Sequence, residues 1–205
     1  MSRPLSDCSE IFVATSNPHK VRELSTLLIP LGIPVRSLPD DADLTAVEED
    51  GETLQENARK KAIGHATQLG QWVVADDTGL EVDALDGAPG VRSARYAGDD
   101  ATMAMNLALL IEHLADVDEE DRKARFICHL CVADPDGNVV LESSGECRGQ
   151  IGTAPIGEFG FGYDAMFLVA GLDQTLAQLN DDKTAAVGHR GHAARALVAA
   201  WQQHT

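Results

Sequence analysis

Asp76 and Asp77 follow a run with nothing polar in it, Trp72-Val73-Val74-Ala75, and Thr78-Gly79 come next. Carboxylates at the end of an apolar strand stand where α/β proteins usually bind ligands. They also offer the hard oxygen donors that magnesium takes together with substrate phosphates. A second acidic group, Glu48-Glu49-Asp50-Gly51-Glu52, precedes a helical pattern. One acid from each group suffices for such an ion, although acids before a helix also complement its dipole. The stretch Thr15-Ser16-Asn17-Pro18-His19-Lys20 sets small polar residues and a cation where a strand hands over to a helix. There the unpaired backbone N–H groups and the positive dipole end point outward together, and Lys20 adds a full charge, so an anion is the natural guest. Ser16 or Asn17 suits simple helix capping equally well.

Further cations stand singly among apolar or glycine-rich residues at Arg95, Lys183 and Arg190. The segment Gly160-Phe161-Gly162-Tyr163-Asp164 joins backbone freedom to an aromatic ring on which a planar base could stack. Its glycines, with Gly157, do not have dinucleotide-fingerprint spacing, and no helix follows them. His189 and Arg190 open the final helix with two donors side by side. These features suit a nucleotide hydrolase and a nucleotide binder without turnover alike.

The elements that must hold these residues alternate in type. Ile11–Ala14 reads as a strand, and a helix from Pro18 carries Val21, Leu24, Leu27, Leu28 and Leu31 down one face. Thr53 to Leu69 reads as a second helix with Leu54, Ala58, Ala62, Ala66 and Leu69 in a stripe and Arg59, Lys60 and His65 opposite. Trp72–Ala75 and Leu80–Leu85 read as two extended pieces separated at Asp76–Gly79, and Thr102–Leu114 as a third helix. Two long strands, 124–133 and 138–148, join through Asp134-Pro135-Asp136-Gly137, a hairpin composition. Tyr163–Val169 returns to extended structure and Gly191–Gln203 closes the chain as a helix. The pattern predicts an α/β fold, a mixed central sheet flanked by helices, with a single domain over residues 1–205 as the default.

The 205 residues carry 33 acids against 16 Lys and Arg, a formal charge of −17, which argues against a nucleic-acid polymer or an anionic membrane as partner. An anionic ligand therefore needs locally gathered cations or a metal ion. Met1 to Glu10 carries acids and has no apolar core, and no apolar run is long enough for a bilayer, so a cytoplasmic protein is expected. Cys128 and Cys131 form a C-x-x-C, but within a strand reading they face opposite ways and cannot share a zinc; reduced, buried cysteines are expected.

In order along the chain, ATSNPHKVREL, ETLQENARKKA, VVADDTGLEVDALDGAPGVRSARYAG, GEFGFGYDAMF and HRGHAARAL together resemble the inosine triphosphate pyrophosphatase family, which removes non-standard purine nucleotides. The resemblance implies two lobes with the active-site cleft between them, and magnesium-dependent hydrolysis of ITP, dITP and XTP between the α and β phosphates, yielding the monophosphate and pyrophosphate, by a homodimer. It implies Thr15, Ser16, Asn17, Pro18, His19 and Lys20 as the phosphate grip, Glu48 and Asp77 as metal ligands, and Asp77 as proton acceptor. Thr78, Arg95, Phe161, Gly162, Tyr163, Asp164, Lys183, His189 and Arg190 fall at substrate-binding positions. On this view N–H donors from the His189-Arg190 region donate to the 6-keto oxygen of hypoxanthine or xanthine and clash with the 6-amino group of adenine. One region departs: Thr-Ala-Ala-Val-Gly separates Lys183 from His189, where members usually have one residue fewer and Ser before the His.

Overall fold

A computed structural model describes residues 2–39 and 44–204; residues 1, 40–43 and 205, Met1 of the amino-terminal segment among them, lie outside the description. Strands β1 (Ile11–Val13), β2 (Val35–Ser37), β3 (Val73–Val82), β4 (Pro89–Gly90), β5 (Lys123–Ala133), β6 (Val139–Ile151) and β7 (Phe167–Val169) form one sheet. Its order is β2-β1-β3-β5-β6-β7, with β4 paired to β3. The sheet is mixed: β1 runs parallel to β2 and β3, whereas β4 is antiparallel to β3 and β7 to β6. Among the described residues five α-helices accompany it, α1 (Pro18–Leu27), α2 (Leu54–Leu69), α3 (Met103–His113), α4 (Asp181–Val187) and α5 (His189–Gln202).

The chain organises into two compact units. The first comprises Met1–Asp77, Cys128–Gly145 and Arg190–Thr205, and the second Thr78–Ile127 and Glu146–His189. The first unit has two apolar cores. Ile11, Val13, Val74, Cys128, Leu130 and Val132 belong to one, with Leu24 and Leu28 of the α1 segment and Leu197 and Trp201 of α5. Ala14, Val73, Ala75, Cys131 and Ala133 belong to the other, with the Ala58, Ala62 and Ala66 stripe of α2. Residues alternate between these cores along β3 and β5, as side chains must on a strand covered on both faces. Cys128 and Cys131 accordingly fall in different cores, and all four cysteines are free and buried. The second unit has a single core built from Leu80, Leu110, Leu114, Phe126, Met166, Phe167 and neighbours. Each such fully buried side chain contributes about 1.5–3 kcal/mol over an exposed one.

Local chemistry sets the helix starts. Asn17 caps α1 with Pro18 in the first position; Thr53 and Glu56 form a reciprocal capping box on α2; Thr102 caps α3. α1 stops at Leu27 because Pro30 and Gly32 (φ 77°) turn the chain through a short 3₁₀ segment, Ile29–Leu31. The Asp134 side chain accepts N–H groups from Asp136 and Asn138 at 3.0 and 2.9 Å and so shapes the β5–β6 hairpin.

Two expectations need correcting, and one element was not foreseen. Asp76 to Gly79 is not a break between two extended pieces: β3 runs unbroken through it, because cations from elsewhere in the chain satisfy the two carboxylates inside the sheet. Tyr163–Met166 is turn rather than strand, and only Phe167–Val169 pairs, since Gly162 (φ 68°) and the bond from Phe161 N–H to Asp164 hold the preceding chain folded. No apolar pattern announces α4, a seven-residue helix capped by Asn180. At Gly149 a Cβ would stand 2.1 Å from the Leu168 carbonyl oxygen, so β6 approaches β7 there only as glycine.

Candidate active site

Between β1 and α1 the chain knots itself with its own side chains. The Thr15 hydroxyl accepts from Asn17 N–H at 3.2 Å, and Asn17 Oδ1 accepts from His19 N–H at 2.9 Å. Asn17 thus caps the helix, as expected of an Asx residue there, while Ser16, Pro18 and His19 remain exposed. An Arg22 guanidinium nitrogen lies 3.0 Å from His19 Nδ1. The Lys20 side chain, 15% exposed, runs inward and places Nζ 2.8 Å from Asp76 Oδ2.

Asp76 and Asp77 are successive residues of β3 and therefore face opposite sides of the sheet. Asp76 is fully enclosed. Its Oδ2 receives both Lys20 and, at 3.3 Å, Arg190 Nε; Arg190 Nη1 reaches Glu23 Oε2 at 3.1 Å. Burial opposes ionisation of Asp76, but the charges of Lys20, Arg190 and Lys61 outweigh it and hold the carboxyl well below the usual carboxylate range. On the other face, Asp77 Oδ1 lies 2.9 Å from Lys61 Nζ, and Asp77 Oδ2 accepts from Asn57 Nδ2 at 3.4 Å. Here burial prevails over Lys61, so the Asp77 carboxyl is pushed up. For Lys61 burial acts against the charge, yet Asp77, Asp76 and Glu49 overcome it and the ammonium is held above its ordinary range. Adjacent carboxyls pushed in opposite directions are the pattern from which acid and base roles are assigned, and Asp77 is the one suited to take up a proton.

Lys61 Nζ also lies 2.9 Å from Glu49 Oε2. Two carboxylates thus converge on one positive centre, and oxygen donors of this kind fit a magnesium ion whose other ligands are water and phosphate. Glu48 is exposed and adds to the field at Lys60. Among the described residues no three His, Cys, Asp or Glu side chains converge on one point.

The remaining residues belong to the second unit. Thr78, Arg95, Phe161, Gly162 and Asp164 are half-buried. Arg95 ends a 3₁₀ turn, Ser93–Arg95, braced from both sides: Asn106 accepts from Ala97 N–H at 2.8 Å and donates to the Ala94 carbonyl at 2.9 Å. Tyr163 lies in the core of that unit and donates its hydroxyl to the Ser93 carbonyl at 2.9 Å. Of the two rings in the glycine-flanked segment, Phe161 is therefore the more accessible. Asp164 accepts from Phe161 N–H at 2.9 Å, and at Gly160 (φ 73°) a Cβ would fall 2.3 Å from the Asp164 carboxylate. Lys183 is exposed on α4; His189 is buried and stacks on Phe126 with ring centroids 4.8 Å apart.

The structure brings Lys20, Arg190 and Asp76 together, and separately Asp77, Lys61, Asn57 and Glu49. Sequence reasoning missed Lys61, Asn57 and Glu23. Lys61 left a signal: it lies three residues after Ala58 and beside Ala62, inside the apolar stripe, where a cation needs an acid.

The model of the Ham1 family matches residues 11–200. A protein of Exiguobacterium sp. named dITP/XTP pyrophosphatase is 50% identical over 190 residues, covering 93% of this chain and 95% of its own. One of the same name from Rhodopirellula baltica is 44% identical over 189 residues, 92% of this chain and 91% of its own. Among solved structures, a HAM1 protein from Coxiella burnetii superposes with a TM-score of 0.84 at 36% identity, covering 95% of this chain and 98% of its own.

Proposed function

We propose, because the chain belongs to the Ham1 family, that it is a nucleoside triphosphate pyrophosphatase which converts ITP, dITP and XTP to the monophosphate and pyrophosphate and so clears non-standard purines from the nucleotide pool. The observation that carries this reading is near-full-length similarity, at 50% and 44% identity, to proteins named dITP/XTP pyrophosphatase.

The residues divide the work as follows. Water attacks the α phosphorus, an O–P bond forms, the bond from that phosphorus to the α–β bridging oxygen breaks, and pyrophosphate leaves with the electron pair. Asp77, with its raised pKa, accepts the proton of the attacking water; such general-base help is worth about 10²–10⁴ in rate. Lys20 and the turn Thr15–His19 hold the phosphate tail, with Lys183 a further cation for it. Magnesium is the proposed cofactor, held by Asp77 and an acid of the Glu48-Glu49 pair; the resemblance favours Glu48, the approach to Lys61 favours Glu49. When bound, it supplies positive charge for the developing phosphoryl charge. Thr78, Arg95, Gly162, Tyr163 and Asp164 complete the substrate-binding set, with Phe161 as the platform for the purine and His189 near its 6-keto edge. We further assign the whole of residues 1–205 to one ITPase-like domain that works in the cytoplasm as a homodimer and takes neither nucleic-acid polymer nor membrane as partner; the −17 charge favours the last point.

The test is to incubate the full chain and magnesium with ITP, dITP, XTP, ATP and GTP and to resolve pyrophosphate from orthophosphate. Pyrophosphate from the first three is expected. Equal use of ATP, or orthophosphate alone, overturns the reading.

A further inference from the structure

The acidic stretch before α2 is fastened to that helix residue by residue. Glu56 accepts the N–H groups of Glu52 and Thr53 at 2.7 and 3.2 Å, and Asn57 Oδ1 accepts that of Gly51 at 2.8 Å. Lys60 pairs with Asp50, and Lys61 with Glu49 at 2.9 Å. Two of these fasteners reach on to Asp77: Lys61 at Oδ1 and Asn57, through Nδ2 at 3.4 Å, at Oδ2. Asn57 is the uncharged one, and at 1% exposure both ends of its amide are engaged. Its orientation is fixed, because the amide oxygen faces an N–H donor and the NH₂ group faces a carboxylate. Such a side chain is a spacer of set length between the loop backbone and the carboxylate. Gly51 tells the same from the other side. It does not lie in the left-handed region, so its conformation does not require glycine. Space does: a Cβ there would stand 2.7 Å from Asn57 Oδ1 and 2.8 Å from the Glu56 Cβ.

We infer that Asn57, for the reaction that the pyrophosphatase reading supplies and on which this role rests, is a positioning residue: it clasps the loop of Glu48 and Glu49 to Asp77 and so sets the spacing of the oxygen donors that a magnesium ion would share. Asn57 acts through these acids and needs to touch neither substrate nor metal. Outer partners of metal ligands act in this way, and removing one typically costs about 10–100-fold in metal affinity or activity.

Two full-length variants break the clasp from opposite sides, Asn57→Ala on the helix and Gly51→Ala on the loop. In both, amide hydrogen exchange at residues 48–52 should quicken on the order of tenfold while residues 58–66 of α2 exchange as in wild type. Manganese titrated alone into metal-free protein, read by electron paramagnetic resonance, should bind on the order of tenfold more weakly. With ITP, the magnesium concentration for half-maximal rate should rise and kcat should fall, each on the order of tenfold, while KM for ITP at saturating magnesium stays at the wild-type value. Gly51→Ala carries the test if Asn57→Ala does not fold. A quickened loop with manganese affinity equal to wild type overturns the inference, as do unchanged exchange at residues 48–52 in both variants and a lowered Tm with kcat and magnesium dependence intact. Exchange and manganese titration need no turnover, so a wild type that releases no pyrophosphate from ITP sinks the pyrophosphatase reading alone, and these two readouts still decide what Asn57 holds.

Discussion

The two faces of β3 at Asp76 and Asp77 hold the same side chain one residue apart, at 1% and 8% exposure, and treat it in opposite ways. On one face Lys20 and Arg190 crowd a single carboxylate oxygen, and the acid is locked as an anion. On the other, one ammonium serves two acids, Asp77 and Glu49, and Asp77 keeps a raised affinity for a proton. Asp76, the more deeply buried of the two, has two cations on one oxygen and is held down, whereas at Asp77 burial outweighs the single Lys61 and the carboxyl is pushed up.

The largest expected effect separates the faces by chemistry. Asp77→Asn should lower turnover by about 10²–10⁴ while ITP affinity, read by calorimetry, stays near wild type; a variant keeping more than a tenth of the activity would erase the distinction. Asp76→Asn should instead act on the fold. It leaves Lys20 and Arg190 facing a neutral group and should cost about 3 kcal/mol in urea unfolding.

The pH dependence should differ in sign. The depressed carboxyl of Asp76 contributes stability that is complete above its ordinary value of 3.8 and is lost as pH falls through the folded-state value. The stability gap between wild type and Asp76→Asn should therefore narrow below about pH 4. The raised carboxyl of Asp77 contributes stability that is complete below 3.8 and is lost as pH rises through its folded-state value. Wild type should accordingly lose ground to Asp77→Asn over that rise, measured by urea unfolding in metal-free buffer.

A smaller change sharpens the same contrast. Lys61→Gln removes the main charge that lowers the Asp77 pKa, so the acid limb of the kcat/KM profile should move to higher pH. An unmoved limb would mean that Asp77 is not the titrating base. The smallest effect is expected at the pair Arg59–Glu142, whose side chains are 44% and 26% exposed: Arg59→Ala should change unfolding free energy by no more than about 0.5 kcal/mol.

Much of the frame was legible from local chemistry. Pro18, Thr53 and Thr102 announced three helix starts, and the spacing of Cys128 and Cys131 on a strand placed them in separate cores. The unbroken β3 was not legible. Two aspartates in tandem read as a strand end until Lys20, Lys61 and Arg190, between 16 and 114 positions away along the chain, are seen to neutralise them. Tyr163 read as part of a strand because the apolar run Ala165–Val169 follows close after it, whereas its hydroxyl bond to Ser93 and the Asp164 turn decide its conformation. At the site, residue types pointed to Lys20 and Asp77, but which acid partners which cation depends on the side of a sheet from which each helix approaches.

The four enclosed cysteines have a practical consequence. Burial pushes the thiols of Cys8 and Cys131 up to about 12 and that of Cys147 to about 11, and Cys128 is wholly covered, so the native chain offers maleimide dyes almost no thiolate near neutrality. A single cysteine introduced at exposed Phe159 or Asp182 would be labelled against a silent background, opening the glycine-rich loop and α4 to fluorescence measurements during turnover.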